Sequence, residues 1–248
     1  MIDPKLFAQP MALDRVQHRT LRLKPRGIRF DRTAGMNALF ITAVEFSDVC
    51  RDYPIVFVEA GQGPDGQREV APMAVLGLQQ GENLMLGADG QWAVRYVPVL
   101  LRSYPLGIAP VDGTNYAVCF DARADAVSTE EGERLFDDAG EPTKFMAERR
   151  QLLEEIEREV QRTRLVGRRL LELELLRSMR FDATLPDGSK LSVDGFLAVD
   201  EEKLASLPEA TVFDLHRTGV LSLIHAQQIS LGLMRALVER RLARRAAA

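Results

Sequence analysis

The feature that most constrains this fold is a long interval without proline. No proline occurs between Pro142 and Pro186, and apolar side chains recur there at helical spacing, at Phe145, Leu152, Ile156, Val160 and Leu170. The pattern predicts one amphipathic helix over residues 144–179, about 54 Å long at about 1.5 Å per residue. Gly167 leaves its continuity open, because glycine costs about 1 kcal/mol relative to alanine inside a helix.

Turn signals dominate the chain before this helix. Asp-Gly pairs, which supply the positive φ that tight hairpin turns need, occur at residues 65–66, 89–90 and 112–113, and again at 187–188. Residues 45–52 predict a short helix that Pro54 ends, and residues 55–58 predict a buried strand. The first half is therefore expected to be mainly antiparallel β-structure.

The last third predicts a β-hairpin followed by helices. Residues 181–185 and 191–199 are the expected strands, Asp200 caps a helix that begins at Glu201, Gly219 ends another helix, and residues 220–244 form the last one. The fold class is α+β, with an antiparallel β-rich N-terminal half with short helices and a helical C-terminal half containing one β-hairpin. We predict a single domain over residues 1–248, which leaves open two lobes, 1–120 and 121–248.

Composition excludes several classes of function. A net charge of −4 and a pI near 5.6 argue against a nucleic-acid binder. No stretch approaches the roughly 20 apolar residues that cross a membrane, so we expect a cytoplasmic protein without membrane insertion. Cys50 and Cys119 are then expected to be buried free thiols. His216 and His225 do not share a helical face, so neither a metal nor a cofactor is predicted.

Catalytic signatures are not found in the sequence. Residues 61–66 match Gly-x-Gly-x-x-Gly in letters, but they contain an Asp-Gly pair expected at a hairpin turn and do not link a strand to a helix. The sequence contains no phosphate-binding Gly-Lys-Ser/Thr loop, no His-Glu-x-x-His and no Gly-x-Ser-x-Gly. We therefore predict no catalytic residues, and favour a binding function over an enzymatic one.

The densest cluster of unusual residues lies between residues 92 and 105. It contains the side chain types that are enriched at binding hot spots, Trp92, Arg95, Tyr96, Arg102 and Tyr104. These five are the candidate ligand- or partner-binding residues. The alternative is a strand whose aromatic side chains pack inward, with the arginines at its rim.

Segments along almost the whole chain resemble the SapC-like family, named for S-layer protein export in bacteria. The segments that carry the resemblance are Leu13-Asp14-Arg15 with His18-Arg19, Glu45-Phe46, Asp52-Tyr53-Pro54-Ile55-Val56-Phe57, Leu76-Gly77-Leu78, Gly81-Glu82-Asn83-Leu84, Gly90-Gln91-Trp92, Tyr96-Val97-Pro98, Arg102-Ser103-Tyr104-Pro105, Leu135-Phe136 with Gly140-Glu141-Pro142, Gly195-Phe196 with Val199-Asp200-Glu201, and Ser230-Leu231. Met85 and Leu106 depart from it, where aromatic residues are expected. The resemblance implies a bacterial protein associated with S-layer secretion or outer-membrane uptake. It supplies no catalytic residue. The peptide-transporter permease of the same name is rejected, because no stretch of this sequence is expected to cross a membrane.

Three hypotheses follow. The first is a non-enzymatic accessory protein that binds an exported or surface protein, or its transport machinery. The second is an enzyme, or an enzyme subunit, that holds the carboxylate or phosphate of a peptide or small polar substrate in a pocket lined by Arg95, Arg102 and Tyr104. The third is a homo-oligomer built through the helix at residues 144–179.

Overall fold

The computed structural model describes residues 2–24, 30–63, 66–112 and 115–246. Its fold class is α+β, as predicted. The strands of the described residues are β1 (Pro10–Ala12), β2 (Arg22–Leu23), β3 (Ala38–Phe40), β4 (Ile55–Gln62), β5 (Arg68–Val75), β6 (Leu106–Asp112), β7 (Asn115–Asp121), β8 (Val127–Ser128), β9 (Glu133–Arg134), β10 (Leu176–Thr184) and β11 (Lys190–Val199). The helices are α1 (Phe46–Val49), α2 (Val99–Ser103), α3 (Lys144–Glu172), α4 (Glu201–Ala205), α5 (Glu209–Arg217), α6 (Val220–Ser230) and α7 (Met234–Ala246).

Contacts divide the chain into two compact units, each assembled from separate segments. Unit 1 consists of the described residues of Met1–Thr33, Ala88–Gln91 and Val99–Arg158. Unit 2 consists of those of Ala34–Gly87, Trp92–Pro98 and Glu159–Ala248. Each unit therefore draws residues from both sides of position 120.

Unit 1 is built on two small antiparallel sheets, with strand orders β1-β7-β6 and β8-β2-β9. Strands β6 and β7 pair antiparallel up to Asp112 and Asn115, and Gly113 of the turn predicted there lies outside the described residues. Leu106, at the start of β6, is 1% exposed and fills a core position. The departure from an aromatic residue at this position is thus a substitution within the core.

Unit 2 is built on one five-stranded antiparallel sheet, with strand order β10-β11-β4-β5-β3. Helix α6 stabilises the middle of this sheet through two buried polar side chains. The Gln227 amide donates to the carbonyl of Ile55 at 3.1 Å and accepts from the Val199 N–H at 3.4 Å. The Ser230 hydroxyl accepts from the Ile55 N–H at 2.8 Å. These side chains pair backbone groups that would otherwise be buried without a partner.

Helix α3 is continuous through Gly167, which settles the question left open by the sequence. A Cβ atom at Gly167 would lie 2.9 Å from the carbonyl oxygen of Val70 in β5, so the glycine permits close approach of the strand. The helix ends at Glu172, and the prediction that it reaches residue 179 is wrong. Glu174 has a φ of 51°, a left-handed conformation that stops the helix, and β10 begins at Leu176.

The buried face of α3 is partly as predicted. Ile156, Val160 and Leu170 are buried. In the first half of the helix Met146 and Leu153 are buried, whereas the predicted Phe145 and Leu152 are only half-buried.

Most of the remaining local predictions are confirmed. The Asp200 carboxylate accepts from the N–H groups of Glu202 and Lys203 and caps α4. Gly219 follows α5 with a φ of 79°. The final helix is broken by a 3₁₀ turn at Leu231–Leu233, which separates α6 from α7. Of the two free cysteines, Cys119 is buried and Cys50 is only half-buried. Within the described ranges, no helix has the length and apolar character needed to cross a membrane.

Candidate functional site

The five residues predicted to bind a ligand or partner do not all belong to one compact unit. Trp92, Arg95 and Tyr96 lie in unit 2, whereas Arg102 and Tyr104 lie in unit 1. The chain leaves unit 2 after Pro98 and enters unit 1 at Val99, so residues that are close in sequence are divided between the units. Each group has its own surroundings.

In unit 2 the two aromatic residues take part in an internal hydrogen-bond network. The Trp92 indole N–H donates to the Tyr53 hydroxyl at 2.5 Å, and that hydroxyl donates to the carbonyl oxygen of Tyr96. The Tyr96 N–H donates to Asp52 Oδ2 at 2.8 Å, and the Tyr96 hydroxyl donates to Glu45 Oε1 at 3.0 Å. Burial raises the pKa of the Tyr53 phenol, so it stays a neutral donor. These hydrogen bonds hold the backbone of residues 92–96 in place. The side chain of Arg95, in the same stretch, is exposed.

In unit 1 the Tyr104 hydroxyl is also committed to an internal partner. It donates to Asp121 Oδ2 at 2.9 Å, and the Asp121 carboxylate also accepts from the N–H groups of Ala8 at 3.0 Å and Gln9 at 2.9 Å. Burial alone would raise the pKa of Asp121, but these hydrogen bonds hold it below its ordinary value of 3.8. Burial, followed by the bond to Asp121, raises the pKa of Tyr104.

Arg102 and Tyr104 line a small cavity in unit 1, here called the basic pocket. Its volume is about 170 Å³. The lining residues are Leu23, Lys24, Arg102, Ser103, Tyr104, Pro105, Leu106, Phe145 and Arg149. The Arg149 guanidinium lies 5.0 Å from the centroid of the Phe145 ring. Three of these side chains are cationic, and none of the described lining residues is acidic.

The alternative prediction for residues 92–105, a strand with inward-facing aromatic side chains and arginines at its rim, agrees with the structure in its side chains but not in its backbone. The polar groups of Trp92, Tyr96 and Tyr104 bond within their units, and both arginines are exposed. The backbone, however, is not a strand. Trp92 forms an isolated bridge with Leu86, and the chain then enters helix α2. Two prolines, at 98 and 105, flank that helix and prevent a continuous ladder.

A second feature, which we call the apolar groove, lies in unit 2. Its volume is about 510 Å³, and its lining is Ala43, Val44, Glu159, Arg162, Leu165, Val166, Arg169, Asp214, Thr218, Gly219, Val220 and Leu223. Val44 is 63% exposed and Leu165 is 62% exposed. Large apolar side chains left open to water and grouped in one concave surface are typical of an interaction site.

Charged pairs surround the apolar part of the groove. Arg162 bonds to Glu159 at 3.0 Å, and Arg169 bonds to Asp214 at 3.2 Å. The turn that carries Val44 is held against α3, because the Ala43 N–H donates to the Thr163 hydroxyl at 2.8 Å. An apolar centre with a polar rim is the usual anatomy of a protein–protein interface.

One feature of the sequence is a signal for this groove. At about 100° per residue, Leu165 lies about 140° around α3 from Val160, off the buried face of the helix. A large apolar residue outside the buried face predicts a second contact surface. Val44 had no such signal, because the tertiary fold brings its turn to α3.

Metal and thiol chemistry receive no support from the described residues. They contain no group of three or more His, Cys, Asp or Glu side chains placed to hold a metal ion. His216 and His225 are exposed, and His225 Nδ1 lies 3.2 Å from Gln228 Oε1. Burial raises the pKa of the Cys119 thiol, which disfavours the reactive thiolate.

Comparison with known proteins gives one result that bears on identity. The model of a protein family described as SapC matches residues 13–237. Neither the curated proteins nor the solved structures include a significant match.

Proposed function

This chain belongs to the SapC family, and from that premise we propose that it is a non-enzymatic accessory protein. In this proposal it binds an S-layer protein or another surface protein, or the machinery that transports it, and assists its export or handling. The cytoplasm is the compartment in which this function would be exercised. The proposal combines what the family resemblance implies with the apolar groove of unit 2.

The observation that carries the proposal is the exposure of Val44 and Leu165 within one groove. Burying a side chain of this size contributes about 1.5–3 kcal/mol. Both side chains remain largely in water in the isolated chain, so that free energy is still available for binding a partner. The flanking ion pairs, Arg162 with Glu159 and Arg169 with Asp214, would favour a partner that is apolar at its centre and polar around it.

The proposal is tested by affinity capture from the native host with wild-type protein and a Leu165→Asp variant. The wild type is expected to recover a discrete exported or surface protein, or a transport component, identified by mass spectrometry. Leu165→Asp should weaken that capture at least about tenfold, because a carboxylate in the apolar centre would have to be desolvated. Purified components then confirm direct binding.

Ile229→Asp is the matched control. Ile229 is 72% exposed, lies in the same unit and is not part of the groove lining. The same change from an apolar to an acidic residue there should leave capture intact, and all three proteins should unfold at the same temperature. Equal capture by Leu165→Asp and the wild type, or repeated recovery of no discrete partner, would contradict the proposal.

The enzymatic alternative receives less support from the geometry. Its pocket requires Arg95, Arg102 and Tyr104 to act on one substrate, yet only Arg102 and Tyr104 are among the described residues that line the basic pocket. The Tyr104 hydroxyl is bonded to Asp121, so moving a proton through it would break the hydrogen-bond set of a buried carboxylate. We therefore base the proposal on binding.

A further inference from the structure

We propose that the basic pocket of unit 1 binds the phosphate group of a small phosphomonoester. The pocket is defined by Arg102, Arg149 and Lys24 together with the aromatic side chains of Tyr104 and Phe145. This ligand site is separate from the apolar groove, which is a feature of unit 2. The two proposals can therefore fail independently.

The first argument is charge. Three cationic side chains line the pocket, against no acidic residue among the described lining. Glu131, which is not part of the lining, lies 3.1 Å from Lys24. An excess of positive charge in a confined space favours a dianion over a monoanion, and a phosphate monoester is mainly dianionic above about pH 6.

The second argument is the placement of Arg149. Its guanidinium lies over the Phe145 ring, so the aromatic face orients it. Among the described residues, no carboxylate pairs with Arg149, although it is only half-exposed. Both residues belong to the first two turns of α3. A guanidinium held in this way presents its donors in a fixed fork that suits phosphate oxygens.

The third argument is size and lining. A cavity of about 170 Å³ is far larger than the roughly 10–15 Å³ that a single water needs, so it has room for a group of several heavy atoms such as phosphate. The Ser103 hydroxyl adds a neutral polar group. The half-buried ring of Phe145 provides an apolar wall for the carbon atoms beside the phosphate. The ligand is therefore expected to carry an apolar or aromatic stem.

The test is calorimetric titration of the purified chain with three probes at about pH 7.5, where phosphate monoesters are dianionic. Phenyl phosphate combines the dianion with an aromatic stem, inorganic phosphate carries the anion alone, and benzoate carries the stem on a monoanion. Phenyl phosphate should bind at least about tenfold more tightly than benzoate and more tightly than inorganic phosphate. Equal binding of benzoate would overturn the assignment to phosphate, and no binding of phenyl phosphate at millimolar concentration would overturn the site.

Variants locate the binding within the molecule. Arg149→Gln and Arg102→Gln, which lie on different helices, should each weaken phenyl phosphate at least about tenfold. Arg150→Gln is the matched control, because Arg150 neighbours Arg149 on α3 but bonds outside the pocket to Glu154 at 2.9 Å. A similar loss in Arg150→Gln would show general charge attraction and overturn the pocket. The thermal unfolding temperature of each variant shows whether weaker binding reflects a lost contact or a lost fold. If Arg149→Gln does not fold, the affinity of Arg102→Gln for phenyl phosphate decides whether the pocket is the binding site.

Discussion

In each unit a single buried polar side chain forms hydrogen bonds with backbone groups that lack a backbone partner. In unit 2, Gln227 is completely buried and bonds to the backbone of Ile55 and Val199. In unit 1, Asp121 is completely buried and accepts from the backbone of Ala8 and Gln9. Loss of such a side chain leaves backbone groups unsatisfied at a cost of about 1–3 kcal/mol. Substitution of either residue is therefore expected to destabilise the protein.

Asp121 makes the stability of the protein depend on pH in a definite direction. Because its pKa in the folded protein lies below the ordinary value of 3.8, its contribution is complete above that pH. The contribution is lost as the pH falls from 3.8 through the lower folded pKa. We expect Asp121→Asn to lower the free energy of unfolding by about 2–3 kcal/mol at about pH 6, since an amide NH₂ would face backbone donors.

Urea unfolding of the wild type and Asp121→Asn, at about pH 6 and again at about pH 3, checks this expectation. The difference between the two proteins should shrink at the lower pH. Asp48→Asn is the control, because Asp48 is half-exposed and its carboxylate forms a surface ion pair with Arg51 at 3.5 Å. It should change the unfolding free energy at about pH 6 by less than about 1 kcal/mol. A difference that stays constant across the two pH values would contradict the assigned role of Asp121.

At the scale of elements, the close approach of α3 to β5 depends on Gly167. Substitution by alanine should improve helix propensity by about 1 kcal/mol. Its Cβ would, however, lie 2.9 Å from the backbone oxygen of Val70, which has little freedom to move. We expect Gly167→Ala to lower the free energy of unfolding by about 1–3 kcal/mol despite the gain in propensity. Chemical denaturation measures the net effect.

Gly232→Ala is the matched control for this prediction. Gly232 lies in the turn between α6 and α7, and a Cβ there would meet no atom within 4 Å. Its unfolding free energy should be unchanged or slightly higher. If Gly167→Ala proved equally harmless, the helix and the strand would not be in close contact at Val70.

The elements that could be predicted from sequence are those encoded by local chemistry. Asp200 caps α4 as expected, because a side chain oxygen beside free N–H groups needs no tertiary contact. The hairpin of β10 and β11 was likewise expected, since its Asp-Gly turn is local. The residue at which α3 ends could not be predicted from local sequence. Its last turn gives way to β10 because pairing with β11 outweighs helix propensity over residues 176–179.

At the scale of the whole molecule, closeness in sequence was a poor guide to the candidate sites. Trp92 and Tyr104 are twelve residues apart but belong to different units. The apolar groove, in contrast, gathers residues near positions 43, 165 and 220. Such a surface has no local pattern, because it is created by tertiary packing. Family membership could be recognised from sequence, since the order of many short segments along the chain is itself specific.

Self-association through residues 144–179 remains a prediction. The side chains on the surface of α3 indicate whether this helix could form a stable dimer interface. The exposed side chains of α3 are mainly charged and partly paired with one another, as Arg150 is with Glu154. Among the described residues of this helix, Leu165 is the one large apolar side chain that is exposed. Charged residues are depleted at interface cores, so this helix is a poor basis for a stable dimer.

We therefore expect a monomer of 27.7 kDa when the purified chain is measured by light scattering at micromolar concentration. Twice that mass would contradict this expectation, and Leu165→Asp would then locate the contact. Dissociation of such a dimer by Leu165→Asp, but not by Ile229→Asp, would assign the apolar groove to a second copy of the chain. A monomer would leave the groove open to a different protein, because both exposed apolar side chains, Val44 and Leu165, would remain in water.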